Sequence, residues 1–226
     1  MRSKCQQETS GLIGRAHALG LEIYAWRWPA TKPQPNSTTH YFATDEAAFV
    51  AEKLIPAGLD GYVVDPESDE AGTANDWNDA SLAPLATSFS KTITAAAAGN
   101  SNFRFGLTSG RNYPSKSGKP HIPWGPFVSY SDVLLPQTYW RVLTKTGRKP
   151  ANGGSPAKAI ARGLPTWAAI SQGKPIAPMA GELGSITEQE ISAYGAELMR
   201  RGMNEAHFYI DGAGSSTSRL AAIKAL

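Results

Sequence analysis

Short hydrophobic segments and amphipathic segments alternate along the chain. The hydrophobic segments are rich in β-branched and aromatic residues, a composition that is typical of strands. They comprise residues 21–28, 61–65, 103–108, 132–139, 175–179 and 206–211. Segments with helical periodicity separate most of them, and this order indicates βαβ crossovers and a mainly parallel sheet.

The helical segments carry recognisable periodicity and end signals. Residues 44–54 have apolar side chains at positions i, i+3, i+4 and i+7, the spacing of one helix face. Thr187 and Glu190 form a capping-box pattern at the start of a helix that Gly202 ends. The other predicted helices are residues 9–19, 81–98, 157–162 and 216–226.

These elements fit either a (β/α) barrel or an open doubly wound sheet. A nucleotide-binding open sheet would have a glycine-rich loop after an early strand, but residues 26–29 (Trp-Arg-Trp-Pro) and 65–67 (Asp-Pro-Glu) occupy those places. Polar and aromatic residues follow several strands, as at the C-terminal face of barrel enzymes. We therefore predict an α/β fold, a parallel (β/α) TIM-type barrel. Because the chain opens on a helix and only residues 164–170 offer a seventh strand, we expect the barrel to lack its first strand or to be incomplete.

Composition and charge agree with a single globular domain over residues 1–226. Hydrophobic residues make up 41% of the chain and charged residues 18%, which is too apolar for a disordered chain. The net charge is +3, and no run of Lys or Arg exceeds two residues, so we expect no nucleic-acid partner. No segment approaches the ~20 apolar residues that span a bilayer, so we expect no membrane span. Residues 1–10 lack the apolar segment of a signal peptide, and we expect none there.

Residues that commonly bind metals are few and poorly spaced. Cys5 is the only cysteine, which excludes an internal disulfide and a Cys-rich zinc site. The histidines show no metal-binding spacing such as His-x-x-x-His; they are His17, His40, His121 and His207. We therefore expect no bound metal and no other cofactor.

An acidic pair directly follows the second hydrophobic segment. Asp65 and Glu67 are two residues apart, and the alternation of a strand would put both side chains on one face. Two carboxylates that share a pocket do not both ionise easily, so one pKa rises and that group can act as a general acid. The alternative is structural, because Asp69, Glu70 and Asp76 follow and the pair would then begin a solvated acidic loop.

The residues around this pair resemble the strand-end motifs of glycoside hydrolases. Asp60-Gly61-x-x-x-Asp65-x-Glu67 is similar to the Asp-Gly-x-Asp-x-Asp-x-Glu motif of family 18 chitinases, with Val63 in place of the middle Asp. Its Asp-x-Glu is also similar to that of family 25 lysozymes. Glycoside-hydrolase-like barrels of actinobacteria and phages resemble this sequence over a longer span than the other two families, from Ala25 to the C-terminus. It includes residues 61–67, 123–124, 136–140 and 174–178.

This resemblance implies a TIM-type barrel that acts on β-linked amino sugars. Glu67 would protonate the glycosidic oxygen, and Asp65 would orient or stabilise the reacting sugar. Because Val63 replaces an Asp of the chitinase motif, full chitinase activity is not implied, and a pseudoenzyme remains an alternative.

Further candidate substrate contacts follow other strands. Gln137 and Tyr139 share one face of residues 132–139, where an amide and a phenol would hydrogen-bond a sugar. Trp26 would offer an aromatic platform to a sugar ring, although a Trp near a barrel mouth is equally often core. Trp140 is a candidate contact with packing as its alternative, and Asp211 is a third strand-end carboxylate whose alternative is a helix cap.

The sequence thus favours a glycoside hydrolase, lysozyme-like or chitinase-like, acting on an amino-sugar polymer such as peptidoglycan at the cell wall or chitin. The alternative is a non-catalytic carbohydrate-binding barrel. A barrel enzyme with small substrates is disfavoured, because no phosphate loop is present. A barrel that begins at a helix leaves an open strand edge at residues 21–28, and we expect self-association through that edge or marginal stability.

Overall fold

The computed structural model describes residues 11–34, 41–68, 73–144, 147–150, 154–209 and 217–226. Its strands are β1 (Tyr24–Arg27), β2 (Gly61–Val64), β3 (Arg104–Gly110), β4 (Val133–Gln137), β5 (Arg141–Thr144), β6 (Gly147–Pro150), β7 (Met179–Glu182) and β8 (His207–Tyr209). Its helices are α1 (residues 11–18), α2 (Ala43–Phe49), α3 (Ala83–Ala96), α4 (Trp124–Tyr130), α5 (Pro156–Ala168), α6 (Glu188–Arg200) and α7 (Thr217–Lys224). A π-helical turn, Val50–Leu54, extends α2, and short 3₁₀ turns at Ala80–Leu82 and Leu183–Ser185 precede α3 and α6.

Six parallel strands form one sheet, in the order β1-β2-β3-β4-β7-β8. The register pairs Tyr24 with Gly61 and Gly61 with Arg104, so β1, β2 and β3 run side by side. Helices connect the strands in the manner of βαβ units, as parallel pairing requires. A complete TIM barrel has eight strands. The predicted TIM-type fold with an incomplete strand set is confirmed, and β1 lies at one edge of the described sheet.

The chain divides into two compact units. One comprises the residues up to Thr108 together with Lys119–Val133, and the other comprises Ser109–Gly118 and Leu134–Leu226. The prediction of one domain over residues 1–226 stays a prediction.

Aromatic side chains fill the core of the first unit. The fully buried Tyr62 of β2 stacks on Phe105 of β3, with ring centroids 6.4 Å apart, and lies 6.1 Å from Phe89 of α3. The Tyr62 hydroxyl donates to Oε1 of the buried Glu46 of α2 at 3.1 Å, and Arg27 Nε lies 3.6 Å from the same oxygen. Burial raises the pKa of Glu46, although Arg27 and Tyr62 oppose that shift.

The second unit has its own core, between β7, α5 and α6. Ala180 of β7 packs with Ile160 of α5 and with Ile191 and Tyr194 of α6. Thr187 caps α6 through the predicted capping box, since its side chain accepts from the Glu190 amide and the Glu190 carboxylate accepts from the Thr187 amide.

Two features of the second unit differ from the sequence prediction. The candidate strand at residues 164–170 is wrong, because α5 continues to Ala168. The buried residues of α5 include Ile160, Gly163 and Trp167, which have the spacing of one helix face. The helix therefore continues although Pro165 lies in its interior. The strand predicted at residues 175–179 is only partly correct, because β7 begins at Met179, although Ile176 bridges to Leu134.

A hairpin of β5 and β6 was not predicted. These strands pair antiparallel, with Arg141 opposite Pro150, directly after the end of β4. They add a two-stranded sheet to the loop region that follows β4.

Candidate active site

Asp65 and Glu67 follow β2 directly, at its C-terminal end. The Asp65 amide donates to the Arg27 carbonyl at 2.9 Å, which extends the pairing of β2 with β1 beyond Val64. The Asp65 side chain is 3% exposed, whereas Glu67 is half-buried. A buried carboxylate next to a more accessible one is a suitable arrangement for acid catalysis, because only the proton donor has to reach the substrate.

Trp77 holds the backbone of this acidic segment. Its backbone amide donates to the Glu67 carbonyl at 3.0 Å, and its indole Nε1 donates to the Pro29 carbonyl at 2.7 Å. The ring is fully buried and packs edge-on against Phe127 of α4, with centroids 5.2 Å apart. Trp77 therefore fixes the loops after β1 and β2 to each other and to a helix. Nothing in the sequence pattern singled out this residue, because its role depends on two contacts distant in sequence.

Two other acidic residues near the pair in sequence have structural partners, whereas Asp69 and Glu70 lie outside the described residues. Ser68 Oγ donates to Asp76 Oδ1, which also accepts from the Asn78 amide at 2.9 Å. Asp60, at the opposite end of β2, accepts from the Ile23 amide at 2.7 Å and from His17 Nε2 at 2.8 Å. The Asp76 carboxylate therefore stabilises the loop that follows Asp65 and Glu67, whereas the Asp60 carboxylate stabilises the start of β2.

Trp26 lies on the neighbouring edge strand β1. The register places it opposite Val63, two residues before Asp65 along β2. Its side chain is 43% exposed, and Tyr24, which shares its face of the strand, is 39% exposed. An accessible indole at this position is compatible with a contact to a sugar ring.

Gln137 and Tyr139 lie in the second unit, where β4 ends. Gln137 pairs with Met179 of β7, and the Tyr139 hydroxyl donates to Met179 Sδ at 3.6 Å. The Tyr139 ring stacks on Tyr209 of β8 at 5.8 Å, and a side chain on Gly181 would come within 3.3 Å of Tyr139 Cβ. Close packing therefore positions Tyr139 beside β7 and β8.

The structure bears on the predicted substrate contact of Trp140 but not on that of Asp211. Trp140 is fully buried, and its ring lies 5.5 Å from that of Tyr194 of α6, which favours the packing alternative for this residue. Asp211 lies outside the described residues. We predicted that all five remaining candidates converge on one pocket, and this stays a prediction. Asp65, Glu67 and Trp26 belong to the first compact unit, whereas Gln137 and Tyr139 belong to the second.

The described residues contain neither a metal-binding cluster nor a membrane-spanning helix. No group of three or more His, Cys, Asp or Glu side chains within these residues could hold a metal ion. No helix among them has the length and apolar character that a membrane crossing requires.

Comparison with solved structures relates the fold to that of chitinases. A chitinase from Chromobacterium violaceum superposes with a TM-score of 0.62 at 9% identity, over 95% of this chain and 83% of that chain. A class V chitinase from Pseudomonas fluorescens gives 0.63 at 10% identity, over 94% and 83%. Active domain 2 of a thermostable chitinase from Pyrococcus furiosus gives 0.57 at 9% identity, over 97% and 78%. At these identities the likeness establishes the TIM-type fold alone. Neither protein-family models nor curated proteins give a match.

Proposed function

We propose that the protein is a glycoside hydrolase that cleaves a polymer of β-linked amino sugars, with Glu67 as the proton donor and Asp65 as its acidic partner. The observation that carries the proposal is the position of the two carboxylates. They follow a parallel strand directly at its C-terminal end, where barrel enzymes collect their catalytic groups. Asp65 is buried there, and Glu67 remains partly accessible.

The chemistry would begin with proton transfer from Glu67 to the glycosidic oxygen of the substrate. Asp65 would orient the reacting sugar and stabilise the positive charge that develops on its ring. Two carboxylates only two residues apart in the sequence would leave little room for an attacking water between them. Retention through the substrate's own acetamido group, a known exception to the two-carboxylate scheme, therefore fits better than inversion.

The remaining predicted residues would bind the sugar. Trp26 would stack on a sugar ring, because its indole is accessible on the edge strand beside β2. Gln137 and Tyr139 would hydrogen-bond an acetamido group or hydroxyls. Asp211 stays a candidate, whereas the complete burial of Trp140 supports a packing role.

A non-catalytic carbohydrate-binding protein is the second candidate. One observation favours it, namely that Val63 stands where the resembling chitinase motif has its middle Asp. Such a protein would keep the aromatic and amide contacts and lack the proton transfer. Both candidate proteins would bind the polymer, but only the glycoside hydrolase would cleave it.

The deciding experiment compares wild type with Glu67→Gln and measures turnover and binding separately. Reporter release from chitin oligomers and clearing of peptidoglycan measure turnover, and co-sedimentation with each polymer measures binding. We expect Glu67→Gln to abolish turnover and keep binding, because the amide preserves the shape and lacks the proton. Glu52→Gln, at an exposed position of the π-helical turn, is the matched control and should change neither. Binding without turnover by wild type would favour the second candidate.

Finer assignments belong to the same proposal. The motif resemblance supports peptidoglycan as the polymer and the cell wall as the place of action. It also supports kinship with family 25 lysozymes and with the actinobacterial and phage barrels. Self-association through β1 rests on its place at the edge of the described sheet. Sedimentation equilibrium tests it, and a monomer at all concentrations would contradict it.

A further inference from the structure

One buried carboxylate lies outside the candidate active site and contacts two strands. Glu46 of α2 is only 3% exposed, and its Oε1 accepts a hydrogen bond from the Tyr62 hydroxyl of β2 at 3.1 Å. Arg27 Nε of β1 lies 3.6 Å from the same oxygen, whereas Oε2 has no hydrogen-bond partner within the described residues. Burial of a charge is costly unless other groups compensate it. The contacts with Tyr62 and Arg27 do so here, because both lower the pKa of Glu46 against the effect of burial.

The Arg27 side chain is held from a second side. Its guanidinium carbon lies 5.0 Å from the centroid of the Tyr41 ring, within the range of a cation–π contact. The Tyr41 carbonyl accepts from the Ala30 amide at 2.7 Å, so the segment before α2 is itself tied to the loop after β1. Glu46 and Tyr41 together therefore restrict the position of the guanidinium beside β1.

The backbone of Arg27 contacts the candidate active site. Its carbonyl accepts from the Asp65 amide at 2.9 Å, directly after the register pair of Arg27 with Val64. Strand alternation puts the Tyr62 side chain on the face of β2 opposite to that of Asp65. Glu46 thus contacts both strands from the helix side of the sheet, and Arg27 connects it to the hydrogen bond that holds Asp65.

We propose that Glu46 is a positioning residue for Asp65. Its carboxylate holds Arg27 and Tyr62, and the Arg27 carbonyl in turn holds the Asp65 amide at the end of β2. A misplacement of about 1 Å in a catalytic group costs on the order of a hundredfold in rate, so a contact that fixes this strand end matters for catalysis. The effect on catalysis rests on the proposed function, whereas the effect on the Asp65 amide does not.

The first test measures amide hydrogen exchange under native conditions, which reports the local opening of hydrogen bonds. The Asp65 amide is compared with the Asp60 amide, which donates to the Ile23 carbonyl at 3.1 Å at the other end of the β1–β2 pair. Glu46→Gln should raise the ratio of the Asp65 rate to the Asp60 rate about tenfold, the order expected for the loss of one charged contact. A change in global stability alone would accelerate both amides equally and leave this ratio unchanged.

Two further variants complete this test. Arg27→Met removes the guanidinium and keeps the apolar stem and the backbone carbonyl, so it should raise the ratio as Glu46→Gln does. Glu52→Gln removes a charge at an exposed position of the turn that extends α2 and should keep the ratio of wild type. A wild-type ratio in Glu46→Gln or in Arg27→Met, or an equal rise in Glu52→Gln, would overturn the proposal.

The second test measures hydrolysis of reporter-bearing chitin oligomers. Glu46→Gln should lower kcat per folded molecule about tenfold and leave KM unchanged, because Asp65 would act on the transition state rather than on substrate binding. An unchanged kcat, or a loss confined to KM, would refute the catalytic part of the proposal. If wild type does not hydrolyse the oligomers but the exchange ratio still depends on Glu46, the positioning of Asp65 stands and the glycosidase proposal alone is contradicted.

Discussion

Replacing Trp77 with Phe tests whether this side chain holds the acidic loop. The substitution removes the indole donor to the Pro29 carbonyl and shortens a fully buried ring. A buried carbonyl left without its donor costs about 1–3 kcal/mol, and the smaller ring costs about 1 kcal/mol in buried apolar area. The free energy of unfolding should fall by about 2–4 kcal/mol, seen as a lower urea midpoint with an unchanged slope.

The same variant should also lose activity, because the loop that carries Glu67 would be less firmly held. Trp124→Phe is the matched control, since Trp124 is also buried and its indole donates to the Lys119 carbonyl at 3.1 Å. We expect both variants to lose stability, and only Trp77→Phe to lose hydrolysis per folded molecule. A Trp77→Phe protein with the urea midpoint and the activity of wild type would refute the role assigned to Trp77.

Three further predictions concern stability. Gly61→Ala should destabilise the protein by about 1–3 kcal/mol or more in urea unfolding, because its Cβ would lie 2.2 Å from the Tyr24 ring; wild-type stability would contradict this packing. Because the pKa of Glu46 is raised in the folded state, the native protein binds the extra proton, so the free energy of unfolding should fall as pH rises from the ordinary Glu value of 4.5. Glu46→Gln should flatten that pH profile, and an unchanged profile would exclude Glu46 as its source. Thr187→Ala should cost about 1 kcal/mol in the same assay through loss of the α6 cap, and no change in the urea midpoint would argue against the capping box.

The fold could be predicted from the sequence where local signals and tertiary packing agree. Apolar strands bounded by helices predicted the parallel sheet, and the Thr187 capping box predicted the start of α6. Residues 164–170 misled because their composition suits a strand, whereas packing of Gly163 and Trp167 favours a helix. The β5–β6 hairpin escaped prediction because its segment lacks an alternating apolar face.

The candidate site was predictable only in part, for a similar reason. Asp65 and Glu67 adjoin a strand in sequence, so their position could be inferred from the chain alone. The supporting contacts of Trp77 with Pro29 and Phe127 join residues tens of positions apart. Such contacts depend on helix packing and loop closure, which no local pattern encodes.

The central claim is that Glu67 supplies the proton for glycosidic cleavage, and analysis of soluble products tests it most directly. Purified wild type and Glu67→Gln are incubated with peptidoglycan and with chitin, and released fragments are measured by mass spectrometry. The account predicts that wild type releases fragments with new reducing ends from at least one polymer and that Glu67→Gln releases none. Hydrolysis by wild type that continues unchanged in Glu67→Gln would contradict it.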